Sequence, residues 1–399
     1  MNTNKYLSNL TPLRGIAALL TVIFHVELVL YSFGGQLLPG ESSSILGRMY
    51  LMVDFFFVLS GFILCYVYAQ NFANSVTGDD FKKFTIARFA RVYPLHLFSL
   101  LLTTLFLFLL SQWGATVSPI INTENSAYSF VTNLFLLHSM NLHQWFTFTH
   151  ASWSISTEWW MYMLFPFLVW PFMKLGKAGR LVVLVMCIAG YLMIGYLLIP
   201  LVTVPDSLSF FRSPETPPFS LNVSYQFGFA RCFFGFVIGM VVYFGYKEDW
   251  GKKIFSSGTV FSILVIGLAI CMHLAVLDVI TVLFFPLILL SAAYGSKNLN
   301  TVLGSKPLQK LGDWSFSIYL IHQPFLYQGA AVMGNPEKTG IPLPKLALFS
   351  SWLTCLVFVV FILFISYLSY RFIELPTRNY INGKWGKRKK LEPLVGIAS

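Results

Sequence analysis

The sequence predicts an all-helical protein that crosses a membrane about ten times, and three observations support this fold class. The 399-residue chain is 56% hydrophobic and only 11% charged, whereas soluble globular chains carry about 25% charged residues. Long apolar runs recur from one end of the chain to the other. Because backbone groups exposed to lipid must satisfy their hydrogen bonds internally, such runs are expected to form helices.

The basic residues provide the third observation, since they set the predicted topology. The predicted spans are 12–33, 50–70, 88–111, 153–173, 181–202, 227–246, 257–276, 278–295, 313–332 and 347–373. With both termini in the cytoplasm, 22 of the 27 Lys and Arg residues fall on the cytoplasmic side, as the positive-inside rule requires. We therefore expect one membrane domain over residues 1–378 and a basic cytoplasmic tail over 379–399.

The net charge of +11 does not indicate nucleic-acid binding. The basic residues lie between apolar runs and in the tail stretch NGKWGKRKK, where anionic lipid of the inner leaflet is the expected partner. The five cysteines occur singly inside apolar runs. None has the spacing of a metal site, so the sequence predicts no bound metal and no disulfide framework.

The first predicted span carries an arginine and a histidine within its apolar stretch, TPLRGIAALLTVIFHVELVLYSFG. Arg14 and His25 are eleven residues apart, which at about 100° per residue places both on one helix face. With a rise of about 1.5 Å per residue, Arg14 lies about 3 Å and His25 about 20 Å above the inner edge of the span. Ionisable side chains inside spans are costly, which makes both residues candidates for a functional site.

Two carboxylates are expected near the depth of His25. The second and fourth spans run inward through MVDFFFVLSGFILCY and ASWSISTEWWMYMLFP, which places Asp54 and Glu158 about 24 and about 22 Å above the inner edge. Arg88 and Arg91, at the start of the third span, lie within about 5 Å of that edge. The sequence thus predicts guanidinium groups at the inner end, which suit phosphates, and groups suited to proton transfer in the outer half.

Each of these residues also has a structural interpretation, and the sequence leaves both open. The arginines fit cationic anchors that reach lipid headgroups, and His25 fits a histidine satisfied by a neighbouring helix. Asp54 and Glu158 fit charges at helix starts. His322, in SIYLIHQPF, fits either role. The polarity also suits two functional classes: an enzyme that joins a phosphorylated donor from inside to a hydroxyl from outside, and a proton-coupled transporter.

Six short stretches, in a fixed order, carry a resemblance to a known family. They are RGIAALLTVIFH, from Arg14 to His25, then VDFFFVLSG, RFAR, WSISTEW, LGDWSFSIYLIHQP and RFIELP. Together they resemble the acyltransferase-3 family of multi-pass membrane O-acyltransferases, with Phe316 where that family often has tyrosine. The resemblance covers about residues 1–378.

The resemblance implies transfer of an acyl group, most often acetyl, from cytoplasmic acyl-CoA to a hydroxyl of a glycan or lipid-linked sugar. It also implies a bacterial inner membrane as the location, as for O-acetyltransferases of polysaccharide and lipopolysaccharide. The sequence does not indicate which glycan or hydroxyl is modified, the length of the acyl group, or the oligomeric state. The roles of His322 and of the outer loop 112–152 are likewise undetermined.

The residues and the resemblance together lead to one mechanistic hypothesis. The arginines of the first and third spans, Arg14, Arg88 and Arg91, would bind the coenzyme A phosphates. His25 would act as general base on the acceptor hydroxyl. Direct transfer needs no acyl-enzyme, and the variant with an acyl-histidine intermediate stays open. Glu158 or Asp54 would orient His25 or bind the sugar.

Two rival hypotheses remain at this stage. A transporter or flippase of a sugar or lipid-linked sugar would use His25, Asp54 and Glu158 as a proton relay. Such a protein often has repeat symmetry, which the sequence does not show. A membrane sensor would use the same polar layer as a ligand pocket.

Overall fold

The computed structural model describes residues 7–114, 124–203, 220–333 and 351–386. In these residues the regular structure is helical, apart from one isolated bridge between Ser224 and Phe227. The predicted outer loop 112–152 is described except for 115–123, and the predicted basic tail is described only up to residue 386.

The described α-helices are numbered here in chain order. They are α1 Leu10–Ser32, α2 Met52–Tyr68, α3 Gly78–Gln112, α4 Ala127–Leu134, α5 Ser152–Lys174, α6 Lys177–Met193, α7 Gly228–Lys247, α8 Lys252–Phe255, α9 Gly258–His273, α10 Asp278–Val282, α11 Phe284–Tyr294, α12 Lys297–Leu303, α13 Lys306–Asp313, α14 Ser315–Met333, α15 Ser351–Ser369 and α16 Leu375–Trp385. Short turns of π-helix extend α6 over Ile194–Leu198 and join α15 to α16 over Tyr370–Glu374.

Helix occupies most of each of the ten predicted ranges, but fewer than ten of the described helices have the length and composition of a membrane span. Within the described ranges, six do: Leu10–Ser32, Met49–Phe72, Gly78–Gln112, Lys177–Leu201, Gly228–Lys247 and Ser351–Trp385. A seventh is obtained if Asp278–Tyr294 and Lys297–Leu303, which meet at 101°, form one broken span. The fold is thus that expected of a multi-pass membrane protein, while the count of ten and the cytoplasmic termini stay predictions.

Apolar side chains on the outside of the helix bundle indicate where lipid contacts the protein. In the Lys177–Leu201 and Ser351–Trp385 helices, only 28% and 17% of the most apolar window is buried. Met186 and Leu353, for example, are 64% and 59% exposed. A soluble monomer rarely exposes apolar surface on this scale, so these faces are suited to the hydrocarbon of a bilayer.

The helices α2 and α7 form the tightest contact of the bundle because glycines remove the side chains between them. A Cβ atom on Gly61 would lie 1.9 Å from the Phe236 carbonyl oxygen, and one on Gly239 would lie 1.9 Å from the Val58 oxygen. Small residues allow membrane helices to approach at backbone distance. This contact packs the VDFFFVLSG stretch of α2 against α7.

A second close approach joins the start of α1 to the end of α13. A Cβ on Gly15 would lie 2.6 Å from the Gly312 nitrogen, and one on Gly312 would lie 2.1 Å from the Thr11 carbonyl oxygen. The α1 helix also packs along α14. The RGIAALLTVIFH and LGDWSFSIYLIHQP stretches, almost 300 residues apart in sequence, are therefore side by side.

Candidate active site

A cavity opens between the helices that carry the predicted phosphate-binding arginines. Arg14 on α1 and Arg88 and Arg91 on α3 line it, together with Glu158 on α5. All four side chains are half-buried. Because the charged lining consists of three guanidinium groups and one carboxylate, the cavity is suited to an anion such as a phosphate.

Arg14 is positioned by the glycine contact between α1 and α13. Its Nη2 donates a hydrogen bond to the Gly312 carbonyl oxygen at 3.1 Å. This oxygen is within reach only because Gly15 lets the end of α13 approach the α1 backbone. The first residue of the RGIAALLTVIFH stretch is thus fixed by the start of the LGDWSFSIYLIHQP stretch.

Arg88 lies between two tyrosines. Its Nη2 donates to the Tyr68 hydroxyl at 3.1 Å, and its guanidinium carbon is 5.2 Å from the centre of the Tyr68 ring and 5.9 Å from that of Tyr162. The buried Nε–H of Arg88 has no hydrogen-bond partner among the described residues. A buried donor without a partner is rare in proteins, which favours a ligand in this cavity.

Arg91 forms a salt bridge with Glu374, and this carboxylate was missed by the sequence reasoning. Glu374 is 1% exposed and also accepts a hydrogen bond from the Ser317 hydroxyl at 2.8 Å. The contact therefore joins three of the six recognised stretches: RFAR, LGDWSFSIYLIHQP and RFIELP. The signal available in the sequence was a lone carboxylate at the inner end of the last apolar run.

Glu158 lies with the arginines, which differs from the predicted arrangement. Its carboxylate accepts a hydrogen bond from the Ser60 hydroxyl of α2, and both residues line the cavity. The predicted separation of Glu158 from the arginines is therefore not observed. The α3 helix begins at Gly78, so Arg88 lies ten residues, or about 15 Å, from the start of its helix rather than at it.

Asp54 is enclosed in an ion pair with Arg231, the fourth residue of α7. The guanidinium Nη2 and Nε lie 2.6 and 3.0 Å from the two carboxylate oxygens. Asp54 is 0% exposed and the Arg231 side chain 1%. Arg231 also donates to the carbonyl oxygens of Val223 and Tyr50, so this pair is a closed link between α2 and α7.

His25 lies beside His322, a partner that the sequence did not identify. The Nδ1 of His25 is 3.2 Å from the Nε2 of His322 and 2.9 Å from the Thr21 carbonyl oxygen. The Nδ1 of His322 is 3.0 Å from the Ile318 carbonyl oxygen. His322 is fully buried, whereas His25 is half-buried.

Neither predicted carboxylate contacts His25 in the described structure. Asp54 binds Arg231 and Glu158 binds Ser60. Among the described residues, the expected contact of Glu158 or Asp54 with His25 is therefore not observed, whereas the other alternative, that one of them binds the sugar, stays a prediction. Helical periodicity identifies the face on which a side chain lies, but not which distant helix packs against that face.

One layer of side chains separates the arginine cavity from the histidine pair. Tyr319 lines the cavity, and its ring centre is 6.3 Å from that of His322. Phe56, also in the lining, is 5.6 Å from the Tyr319 ring. Along α1, Arg14 and His25 are about 16 Å apart. The cavity and the histidines therefore form the two ends of one site.

On the other side of His25, a series of rings continues toward the outer loop. Tyr327 lies 6.3 Å from His25 and 5.0 Å from His150, measured between ring centres. His150 in turn stacks on Phe146 at 5.0 Å. These four residues are half-buried, so the outer approach to His25 is aromatic and partly open.

The family of the chain follows from comparison with known proteins. The model of a family described as an acyltransferase domain matches residues 8–371. The chain belongs to the acyltransferase-3 family. The match includes five of the six recognised stretches and ends at Arg371, the first residue of RFIELP. It identifies the protein as an acyltransferase that transfers groups other than aminoacyl groups.

Two known proteins are similar to this chain. The protein "Acyltransferase MdmB" of Streptomyces mycarofaciens is 27% identical over 337 residues, which are 82% of this chain and 81% of that protein. The "Protein 2 in picA locus" of Rhizobium radiobacter is 32% identical over 158 residues, which are 37% of this chain and 75% of that protein. No solved structure matches.

Proposed function

We propose that the protein moves an acyl group, acetyl in the expected case, from cytoplasmic acyl-CoA to a hydroxyl of a glycan or lipid-linked sugar on the outer side. The observation that carries this proposal is the pairing of an arginine-lined cavity with a histidine one side-chain layer away. Membership of an acyltransferase family supports the reaction type.

The donor binds at the arginines. Coenzyme A carries phosphate groups, and guanidinium forks match phosphate oxygens in a bidentate manner. Arg14, Arg88 and Arg91 provide three such forks, and the Nε–H of Arg88, which has no partner within the described part of the chain, provides a buried donor for one of the oxygens. Bound there, the phosphates hold the nucleotide end of the donor on the cytoplasmic side.

The reacting end of the donor lies at His25. The pantetheine arm of acyl-CoA is long enough to cover the distance of about 16 Å between Arg14 and His25 along α1. Its path passes Phe56 and Tyr319, the side chains between the cavity and the histidines. Because the arm is held at its nucleotide end, the thioester has less conformational freedom to lose when it takes up its reacting position.

His25 transfers the proton in the reaction. A ring nitrogen accepts the proton of the acceptor hydroxyl while the hydroxyl oxygen attacks the thioester carbonyl carbon. The carbon–sulfur bond then breaks, and the coenzyme A thiolate takes the proton back from the imidazolium. The products are an ester on the acceptor and free coenzyme A, and His25 returns to its neutral form.

The acceptor enters from the outer side, past Tyr327 and His150. Half-buried aromatic rings suit the apolar faces of sugar rings, which supports a glycan or lipid-linked sugar. Both relatives come from bacteria, which supports the bacterial inner membrane as the location. No metal takes part in this proposal.

A transporter with His25, Asp54 and Glu158 as a proton relay has less support. Such a relay needs a chain of groups that exchange protons. In the structure, Asp54 is enclosed by Arg231 and Glu158 is bound to Ser60 among the arginines. The three residues therefore belong to three separate contacts.

The proposal is tested on surface glycans and membrane lipids. Cells that carry the wild type, His25→Ala or no copy of the protein are compared by mass spectrometry, with equal amounts of both proteins in the membrane. We expect an acyl mass increment with the wild type, and with His25→Ala a decrease in rate of about 100- to 10,000-fold. The same increment at the same rate in all three strains would contradict the proposed function.

A further inference from the structure

The two histidines of the site have the same local geometry, which fixes where their protons lie. In each ring the Nδ1 atom faces the carbonyl oxygen four residues earlier, Thr21 for His25 and Ile318 for His322, at 2.9 and 3.0 Å. A carbonyl oxygen accepts hydrogen bonds and never donates them. Both Nδ1 atoms must therefore carry a proton, and both Nε2 atoms carry a lone pair when the rings are neutral.

This assignment gives the contact between the rings a direction. The Nε2 of His322 is 3.2 Å from the Nδ1 of His25. Since the Nε2 has the lone pair and the Nδ1 has the proton, His25 donates and His322 accepts. The His25 proton is then shared between the Thr21 carbonyl oxygen and His322, and the Nε2 of His25 is left with its lone pair available.

We propose that His322 is the positioning residue of the site: its Nε2 accepts from the Nδ1–H of His25, holds the ring, and leaves the Nε2 of His25 to take the acceptor proton. The inference rests on the proposed function of His25 as a base. A carboxylate has this position in many histidine-dependent enzymes. Here the carboxylates of Asp54 and Glu158 are bound elsewhere.

A neutral hydrogen-bond partner for His25 suits the surroundings of the two histidines. His322 is 0% exposed and lies beside the ring of Tyr319, and the rings of Tyr327 and Phe24 lie beside His25. A buried carboxylate without a cation would be costly in such an apolar layer. When His25 becomes an imidazolium, its Nδ1–H forms a charge-assisted hydrogen bond to His322, which is stronger than the neutral one.

Two variants of His322 separate this role from simple packing. In His322→Gln the side-chain oxygen reaches the position of the Nε2 and still accepts from His25. In His322→Asn the shorter amide reaches the position of the Nδ1, near the Ile318 carbonyl oxygen, so that His25 loses its acceptor on α14 and keeps only the Thr21 carbonyl oxygen of its own helix. The two variants are both neutral amides and differ by one methylene group.

The assay uses membranes from cells that lack the wild-type gene and carry each variant in equal amount. Radiolabelled acetyl-CoA is titrated in, and the label that enters glycan and lipid gives the maximal rate and the KM for acetyl-CoA. We expect His322→Asn to lower the maximal rate by about 100-fold with an unchanged KM. We expect His322→Gln to retain the rate to within about 10-fold.

Three other outcomes have distinct meanings. Equal losses in His322→Gln and His322→Asn, or a raised KM in both, would contradict the positioning role and indicate packing. A full rate in His322→Asn together with a lost rate in His25→Ala would contradict this inference alone. A full rate in His25→Ala would contradict the proposed function, and with it the inference.

Discussion

Two groups of arginines and carboxylates in this chain contrast in how much space surrounds them. Asp54 and Arg231 are 0% and 1% exposed, and the guanidinium donates to the carboxylate and to two carbonyl oxygens. Arg88 and Glu158 are half-buried around a cavity, where the Nε–H of Arg88 lacks a partner among the described residues. The first group is closed and links two helices, whereas the second is open to a ligand.

The contrast shows that residue type and depth are not enough to assign a function to an intramembrane charge. In the sequence, Asp54 and Glu158 are equivalent. Each lies a few residues after the start of a span that is predicted to run inward, and aromatic or polar residues precede it. In the structure, the residue that each carboxylate binds determines the role of that carboxylate. A carboxylate whose oxygens are already matched by a guanidinium has little capacity left for a substrate.

The largest effect on stability is expected at the closed pair. Asp54→Ala leaves a buried guanidinium without its counter-charge, which should lower the free energy of unfolding by about 3–5 kcal/mol. Thermal unfolding in detergent measures this change. The double variant Asp54→Leu/Arg231→Met removes both charges and should recover most of the loss. A stable but inactive Asp54→Ala protein would instead assign Asp54 to the chemistry.

An intermediate effect is expected at Glu374, which is buried but faces a cavity arginine. Glu374→Gln removes the charge that Arg91 pairs with and weakens the bond from Ser317. Because Arg91 is half-buried and reaches the cavity, water or an anion can replace the carboxylate. We expect a loss of about 1–3 kcal/mol in unfolding experiments, and a partial recovery when coenzyme A is added. A loss as large as that of Asp54→Ala, with no recovery, would place Arg91 with the closed pair.

A smaller effect is expected at Glu158, on the open side of the comparison. Glu158→Gln keeps a side chain that accepts from Ser60 but removes the negative charge beside Arg88 and Arg91. Stability should change by less than about 1 kcal/mol, and acetyl-CoA should bind as tightly as in the wild type or a few-fold more tightly. Binding weakened by 10-fold or more would show that the carboxylate itself contacts the donor.

The smallest effect is expected in the outer loop, where His143 lies 4.0 Å from Glu124. Burial lowers the pKa of His143. Its folded pKa is then below the unfolded value of about 6.5, so its contribution to stability is present above that pH and is lost as the pH falls. His143→Gln should remove this dependence, a change below about 1 kcal/mol between pH 8 and pH 5 in thermal unfolding. If thermal unfolding of His143→Gln kept the same pH dependence as the wild type, the assignment of this dependence to His143 would be contradicted.

The sequence was sufficient to predict where the helices lie and which arginines lie together. Apolar runs predicted where helix occurs in all ten ranges, and the predicted position near the inner edge grouped Arg14, Arg88 and Arg91, which line one cavity. The number of spans was harder to predict, because the Ser152–Lys174 helix carries Ser154, Thr157 and other polar residues, which are buried in the protein.

The partners of the charged residues were not accessible from the sequence. Asp54 pairs with a residue 177 positions away, and His25 with one 297 positions away. Periodicity gives the direction of a side chain from its own helix axis. Which other helix occupies that direction depends on close approaches such as those at Gly61 and Gly239, and these emerge only from the packed bundle.

The most direct test of the account is the binding of acetyl-CoA to purified protein in lipid nanodiscs, measured by isothermal titration calorimetry. Arg88→Gln removes charge-assisted hydrogen bonds worth about 1.5–3 kcal/mol, so we predict a dissociation constant raised by about 10- to 100-fold. His25→Ala, at the other end of the site, should bind acetyl-CoA as the wild type does while failing to transfer the acyl group. Unchanged binding in Arg88→Gln would contradict the claim that the arginine cavity holds the donor.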